Sequence, residues 1–173
     1  MITLEVVGTD DWERWRDLRL SALREAPEAF FSSLSDWEHK SEDTWRQRLA
    51  DVAANFIVAL DGKDAGMVSA AVTAEEVELI GMRVAPFARG RGVGDELVRV
   101  VLDWSLSHQP LRLTLRVLNG NYRAVTLYER HGFKFEDSQN NTGAEPDRLM
   151  VHAGRAVGGS PLEASSVKWI SDV

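Results

Sequence analysis

The chain has 173 residues, 44% of them hydrophobic and 27% charged, with a formal net charge of −7 and no cysteine. That length supports one domain with a substantial core. The acidic balance argues against a general nucleic-acid binder, which needs a basic surface to displace counterions, and the missing cysteines exclude disulfides, thiolate metal sites and a thiol nucleophile.

Ile2 to Val7 alternates apolar and polar residues and predicts a first strand. Asp10, with Glu13 three residues on, predicts a capped amphipathic helix carrying Trp12, Trp15, Leu18 and Leu23 and ending before Pro27. Glu28 to Lys40 is aromatic-rich (Phe30, Phe31, Trp37) without a clear period, and Ser41 then caps a helix carrying Trp45 and Leu49. Phe30, Phe31, Trp37 and Trp45 suit either a cleft lining or a core. Phe56–Leu60, Ala65–Thr73 and Val77–Val84 predict three consecutive strands, joined by a hairpin at Asp61-Gly62 and a turn at Glu75-Glu76. Strand alternation places Glu78, Ile80, Met82 and Val84 on one face, with Glu76 on the same parity nearer the turn.

A glycine loop follows, Arg89-Gly90-Arg91-Gly92-Val93-Gly94, and opens a helix whose face carries Leu97, Val101, Trp104 and His108, stopped by Pro110. Leu111 to Val117 alternates strictly, which predicts a half-buried strand. Asn121 to His131 reads as a helix with Gly132 as its C-cap. Phe133 to Phe135 begins another strand, Asn140–Gly143 is a polar loop, and Arg148–His152 is the last strand. These elements predict an α/β domain over residues 1–153: a mixed, mostly antiparallel central sheet with one parallel crossover and helices on both faces. Residues 154–173 form a tail of flexible composition, free or docked, whose apolar cluster is Val167, Trp169 and Ile170.

A strand, a glycine loop with arginines and a helix together hold phosphate. Glycine lets backbone approach the ligand, and the first N–H groups of a helix lack internal partners and favour an anion. A Walker A string is absent, and the third glycine of a dinucleotide fingerprint falls on Asp95, which disfavours a nucleotide or dinucleotide enzyme. Arg89, Gly92 and Gly94 do fit Q/R-x-x-G-x-G/A.

That loop resembles the pyrophosphate loop of the GCN5-related N-acetyltransferases. Downstream, Asn121-x-x-Ala124 and Leu127-Tyr128-Glu129-Arg130-His131-Gly132-Phe133 are similar to the family's N-x-x-A and L/F-Y-E/K-K/R-x-G-F/Y block, in the family's order. The resemblance covers Met1 to about Gly154 and implies the acyl-coenzyme A N-acyltransferase fold and transfer of an acetyl group to a primary amine. Acetyl-coenzyme A would be the co-substrate. Arg89, Gly90, Arg91, Gly92, Val93 and Gly94 would cradle its pyrophosphate through backbone N–H groups. Met82 and Val84 would pair with its pantetheine arm through main-chain groups where the sheet splays open, and Asn121 would hydrogen-bond the arm or cap its own helix. Tyr128 would protonate the departing thiolate, a main-chain N–H near Val84 would face the carbonyl oxygen, and Glu78 would be the general base. The other reading on this fold is a non-catalytic acyl-coenzyme A-binding or regulatory domain.

Without cysteine, direct transfer in a ternary complex is expected. The acidic excess over Met1–Leu60 is compatible with a cationic amine acceptor, whose identity the sequence leaves open. A homodimer is compatible with the fold. No apolar run approaches the ~20 residues that span a bilayer, and the N-terminus lacks the basic and apolar regions of a signal peptide. A cytoplasmic protein with no membrane or nucleic-acid partner is therefore expected. His39, His108, His131 and His152 show no metal-ligand spacing, so no metal is expected.

Overall fold

The structure, a computed structural model, describes residues 1–27, 32–108, 112–136 and 146–154. Phe30, Phe31, Pro110, the Asn140–Gly143 loop and the tail cluster of Val167, Trp169 and Ile170 lie outside the described residues. Seven strands form one sheet in the order β1-β2-β3-β4-β5-β7-β6. They are β1 (Ile2–Val7), β2 (Ala54–Leu60), β3 (Lys63–Val72), β4 (Glu76–Val84), β5 (Arg112–Leu118), β6 (Phe133–Phe135) and β7 (Asp147–His152). Among these, only β4 and β5 run parallel, so the expected mixed, mostly antiparallel sheet is what forms.

The helices are α1 (Trp12–Glu25), α2 (Leu34–Trp37), α3 (Glu42–Ala50), α4 (Val93–Ser105) and α5 (Tyr122–Arg130). Val93, Leu97, Val98 and Val101 of α4 and Tyr128 of α5 pack with Phe56, Val68, Leu79, Leu113 and Leu115 of the sheet into the main core. On the opposite face Trp15 and Leu20 of α1 and Trp45 and Leu49 of α3 pack on Ile57 and Met67. Among the described residues no helix is long and apolar enough to cross a membrane.

Local chemistry explains the joints. Asp61 (φ 53°) and Gly62 (φ 80°) make the tight turn that matches the twist of β2 and β3. The Thr73 hydroxyl accepts from the N–H groups of Glu75 and Glu76 at 3.3 and 3.2 Å and fixes the next turn. Two expectations need correction. Asp10 and Glu13 form no capping box: Asp11 accepts from Gly8 N–H at 3.0 Å across a 3₁₀ turn, Thr9–Asp11, and α1 follows with no side-chain hydrogen bond at its N-cap. The aperiodic segment before Ser41 contains α2, whose cap is reciprocal between Ser33 and Asp36; four helical residues are too few for a period to show.

The decisive irregularity lies in β4. Met67 faces Arg83 and Ser69 faces Ile80, so one β3 residue, Val68, opposes two residues of β4, Gly81 and Met82. This is a β-bulge, and Gly81 occupies the left-handed region at φ 62°, where a side chain is strained. The extra residue shifts the phase of the strand by one. Before it, Val77 and Leu79 enter the α4–α5 core; after it, Met82 and Val84 do. Ile80 instead joins Val52 and Ala71 on the other face. The expectation of one face shared by Glu78, Ile80, Met82 and Val84 is therefore corrected: the first two and the last two look in opposite directions.

β5 pairs with β4 only from Glu76↔Arg112 to Leu79↔Leu115, and from Thr114 to Leu118 it pairs with β7. The strands part at the bulge, leaving Ile80 to Val84 with a partner on one edge. At the same end α4 presses close to the sheet. A Cβ on Gly66 would stand 2.8 Å from the Arg83 carbonyl oxygen and 2.8 Å from Leu97 Cδ1. Since backbone cannot yield cheaply, Gly66→Ala is expected to destabilise the fold by about 1–3 kcal/mol in chemical denaturation; an unchanged midpoint would refute this packing.

Candidate active site

Where β4 and β5 part, a cleft of about 930 Å³ opens between the end of β4, the glycine loop, α5 and the C-terminal end of α1. Of the residues expected from sequence, Met82, Val84, Arg89, Gly90, Gly92, Gly94, Asn121 and Tyr128 line it. Gly90 and Gly92 hold φ of 71° and 85°, so the loop turns through conformations closed to most side chains. Gly92 is the N-cap of α4 and, having no side chain, leaves the helix's first N–H groups uncapped at the cleft. At Gly94 a Cβ would stand 3.1 Å from Leu127 Cδ2, so glycine also lets α4 approach α5 closely. The Arg91 side chain turns away to Asp61 at 3.1 Å, and Val93 is fully buried in the core. Neither side chain lines the cleft, so only their main chain is available to it.

The β4 main chain supplies a further donor. Ala85 N–H donates to the Ala65 carbonyl of β3 at 2.8 Å. Successive strand amides point to opposite edges, so Val84 N–H points to the open edge. The Val84 carbonyl accepts from Arg89 Nε at 3.3 Å.

Tyr128 is fully buried, and its hydroxyl donates to Met82 Sδ at 3.6 Å, a weak acceptor. Burial holds its pKa well above the usual phenol value, so it stays neutral as a proton donor. Phe133 meets its ring edge-on at 6.0 Å. Asn121 is the N-cap of α5, accepting from Ala124 N–H at 3.2 Å through Oδ1; its amide nitrogen remains for other use.

Glu78 lies across the bulge from this cleft. Burial, reinforced by Glu76, pushes its pKa up to about 7, against the opposing pull of Arg116. Its register partner on β5 is Thr114, whose hydroxyl is buried with no hydrogen-bond partner among the described residues. A titratable carboxylate and an unengaged hydroxyl therefore share one face beside the parting strands.

Several residues escaped the sequence reading. Glu25 bridges Arg83 and Arg89, the latter at 2.9 Å, and with Arg123 and Arg130 it lines the cleft. Asp95 accepts from Arg130 at 2.6 Å and from His131 at 2.9 Å. These pairs join residues distant in sequence, so spacing carries no sign of them.

Trp37 and Trp45 do not line the main cleft. Their rings meet at 4.9 Å and wall a second, smaller pocket behind the bulge, together with Trp15, Arg19, Arg48 and Gly81. One signal for it was available: Arg19 and Arg48 follow Trp15 and Trp45 on the buried faces of their helices, where arginine is unusual.

Residues 12–133 match the family model described as the Acetyltransferase (GNAT) family. A mycothiol acetyltransferase of Renibacterium salmoninarum is 28% identical over 135 residues, covering 73% of this chain and 38% of the relative. A streptothricin acetyltransferase of Streptomyces lavendulae is 33% identical over 88 residues, covering 50% of this chain and 47% of the relative. The chain thus spans less than half the length of these curated relatives. Among solved structures, the PaiA N-acetyltransferase of Thermoplasma acidophilum in complex with coenzyme A superposes with a TM-score of 0.70 at 17% identity, covering 87% of this chain and 98% of that one.

Glu25 neutralises Arg83, whose side chain is only 6% exposed. Glu25→Gln is expected to cost about 2–4 kcal/mol in urea denaturation, because it strands a buried guanidinium. A loss below ~0.5 kcal/mol would show that the pair holds nothing together.

Proposed function

The chain belongs to the acetyltransferase (GNAT) family, and we propose that it transfers an acetyl group from acetyl-coenzyme A directly to a primary amine, both bound at once. The observation that carries this reading is the union in one cleft of an uncapped helix N-terminus on a glycine loop, the unpaired end of β4 and the Tyr128 hydroxyl. The residues present fit such a co-substrate. The loop has space beside Gly90, where a Cβ would meet nothing within 4 Å, and arginines 89, 123 and 130 make the wall basic toward phosphate.

When bound, the co-substrate supplies an acetyl thioester whose thiolate, of pKa ~8.5, is a fair leaving group. The Arg89 N–H donates to the Pro86 carbonyl at 3.2 Å, so of the expected set the backbone N–H groups of Gly90, Arg91, Gly92, Val93 and Gly94 hold the pyrophosphate, with the dipole of α4 behind them. The free edge of β4 at Met82 and Val84 takes the pantetheine arm as a neighbouring strand would, and the Asn121 amide donates to it. Val84 N–H faces the oxygen on which charge develops. Tyr128 exchanges its weak contact with the Met82 sulfur for the departing sulfur and gives it a proton, and the proton shed by the newly acylated nitrogen restores the phenol.

The amine must be neutral to attack. For an alkylamine of pKa ~10.4, deprotonation at pH 7 costs about 4.6 kcal/mol. Glu78 takes this proton, directly or through a water held by the Thr114 hydroxyl; a pKa of about 7 suits a base at neutral pH. Tyr128 and Glu78 lie on opposite sides of the bulge, so the leaving group and the entering amine meet different groups. The chain contains no cysteine, which supports direct transfer over a thiol acyl-enzyme.

Tyr128→Phe is expected to lower kcat about 100-fold, with acetyl-coenzyme A affinity by calorimetry unchanged within about twofold. Wild-type kcat in this variant would remove Tyr128 from the chemistry. Acetyl-coenzyme A binding without thiol release on any amine of a broad panel would favour the acyl-coenzyme A-binding domain instead. In the pH profile of kcat/KM, activity is expected to fall as pH drops through about 7, as Glu78 takes up a proton. Glu78→Gln should lose about 100-fold or more at neutral pH together with that limb; a limb unchanged in the variant assigns it to another group.

A further inference from the structure

Three arginines converge on the α1–α3 side of the Gly81 bulge, and the chemistry above uses none of their guanidinium groups. Arg19 comes from the buried face of α1 and is 7% exposed; Arg83 comes from β4 and is 8% exposed. Arg48 comes from α3, with its guanidinium carbon 6.0 Å from the centre of the Trp15 ring. Its Nη2 lies 3.9 Å from where a Cβ on Gly81 would stand, so the bare bulge leaves the guanidinium room against the strand. Burial first, and then the nearby charges of Arg48 and Arg83, pull the pKa of Arg19 down to about 9. Burial does the same to Arg48, to about 10. Both remain charged at neutral pH.

The three differ in how they are satisfied. Arg83 is paired with Glu25, and Arg19 is engaged within the protein. Arg48 is the exception: its Nη1 is buried and has no hydrogen-bond partner among the described residues. It lines a pocket of about 40 Å³ with Trp15, Arg19, Trp37, Trp45 and Gly81. A desolvated guanidinium with a buried donor left unmet, as at Nη1, costs stability unless something answers it. A rigid aromatic wall around a planar fork of N–H groups fits a small planar anion.

We infer that this pocket holds the carboxylate of the acceptor, so that the amine acetylated is an amino acid or another amine bearing a carboxylate. The inference rests on the acetyl-transfer reading. Geometry connects the two sites: Gly81 walls this pocket, and its neighbour Met82 lines the main cleft. Consecutive Cα atoms lie ~3.8 Å apart, so a carboxylate bound at Arg48 leaves the amine a few bonds away, at the open end of β4. The pocket's size admits a carboxylate and excludes a bulky anionic headgroup.

Two measurements test this. In thiol-release kinetics at saturating acetyl-coenzyme A, amino acids and short ω-amino acids are compared with their own carboxamides. In calorimetry, the N-acetyl amino acids and N-acetyl carboxamides are titrated into protein saturated with coenzyme A, alongside inorganic sulfate. Wild type is expected to prefer at least one acid over its amide by about 30-fold in kcat/KM, and to bind its N-acetyl product over the matching amide. A charged hydrogen bond of roughly 2 kcal/mol corresponds to that factor.

Arg48→Met should abolish both preferences while melting no lower than wild type without ligand, since it replaces a desolvated guanidinium with an unpartnered Nη1 by an apolar chain of similar length. Should that variant fail to fold, Arg48→Lys is expected to fold and to reduce the preference about tenfold. Amides acetylated as well as acids would overturn the inference while leaving acetyl transfer intact, as would a preference unchanged in the Arg48 variants or binding of sulfate alone. If no amine is acetylated, the acetyl-transfer reading fails, and carboxylate-selective binding lost in Arg48→Met would still assign the pocket.

Discussion

The parting of β4 from β5 is the constraint on which the rest depends. Two parallel strands normally pair along their shared length, and β4 and β5 do so from Glu76 to Leu79. The bulge at Gly81 then adds a residue, bends β4 and increases its local twist. β5 meanwhile is held by β7 through Leu118, so it cannot follow. An interior strand thereby acquires an unpaired edge. Elsewhere such an edge is a liability; here it faces a cleft walled by α5 and the glycine loop, where an extended ligand can complete it. The same extra residue turns Met82 and Val84 toward α5 and leaves Ile80 and Glu78 on the other face. A single glycine thus separates a cleft containing Tyr128 from a face containing Glu78.

Around this opening the charges are arranged in two tiers. Toward the glycine loop, each arginine with a named partner is tied back by a carboxylate: Arg89 by Glu25, Arg91 by Asp61, Arg130 by Asp95. These pairs are substantially exposed, so each adds little stability, yet they hold long side chains in place beside the uncapped start of α4. The donors proposed for phosphate are then main-chain groups, which would need no ordering when a ligand arrives. Behind the bulge Arg83 is likewise paired with Glu25, and Arg48 is the exception. Arg48 is walled by tryptophans, and its Nη1 has no partner among the described residues. Stability alone would favour an apolar residue at that position, which is why its presence reads as a binding feature.

Most of the fold was legible because its signals are local. Asp61-Gly62, the strict alternation of Leu113, Leu115 and Val117, and the 3.6-residue spacing of Leu97 and Val101 each carry their own geometry. The loop and the Asn121–Phe133 block were legible for the same reason: both are contiguous. What escaped the sequence was phase and distance. Alternation assumes two residues per repeat without interruption, and Gly81 lies in a run, Ile80-Gly81-Met82, whose apolar character is the same with or without a bulge. An isolated glycine in a strand is a hint of one, but the register that proves it, Met67 against Arg83, belongs to another strand. Glu25 and Arg83 are 58 residues apart, and no window relates them.

The bulge also sets apart the two groups proposed as acid and base. In the proposed transfer, Tyr128 would keep its proton until a thiolate forms, and Glu78 would lose one while an amine is present. Both are shifted upward by burial, but in different surroundings. Tyr128 sits among Met82, Phe133 and the α4–α5 core with no charged group pulling on it, so its shift is large and one-sided. Glu78 is buried beside Glu76, with Arg116 opposing the shift, and so comes to rest near neutrality. Had β4 alternated regularly through Gly81, Glu78 and Met82 would share a face. The bulge instead sets the Tyr128 hydroxyl and the Glu78 carboxylate on opposite sides of one strand, the arrangement that the proposed donor and acceptor of protons would use.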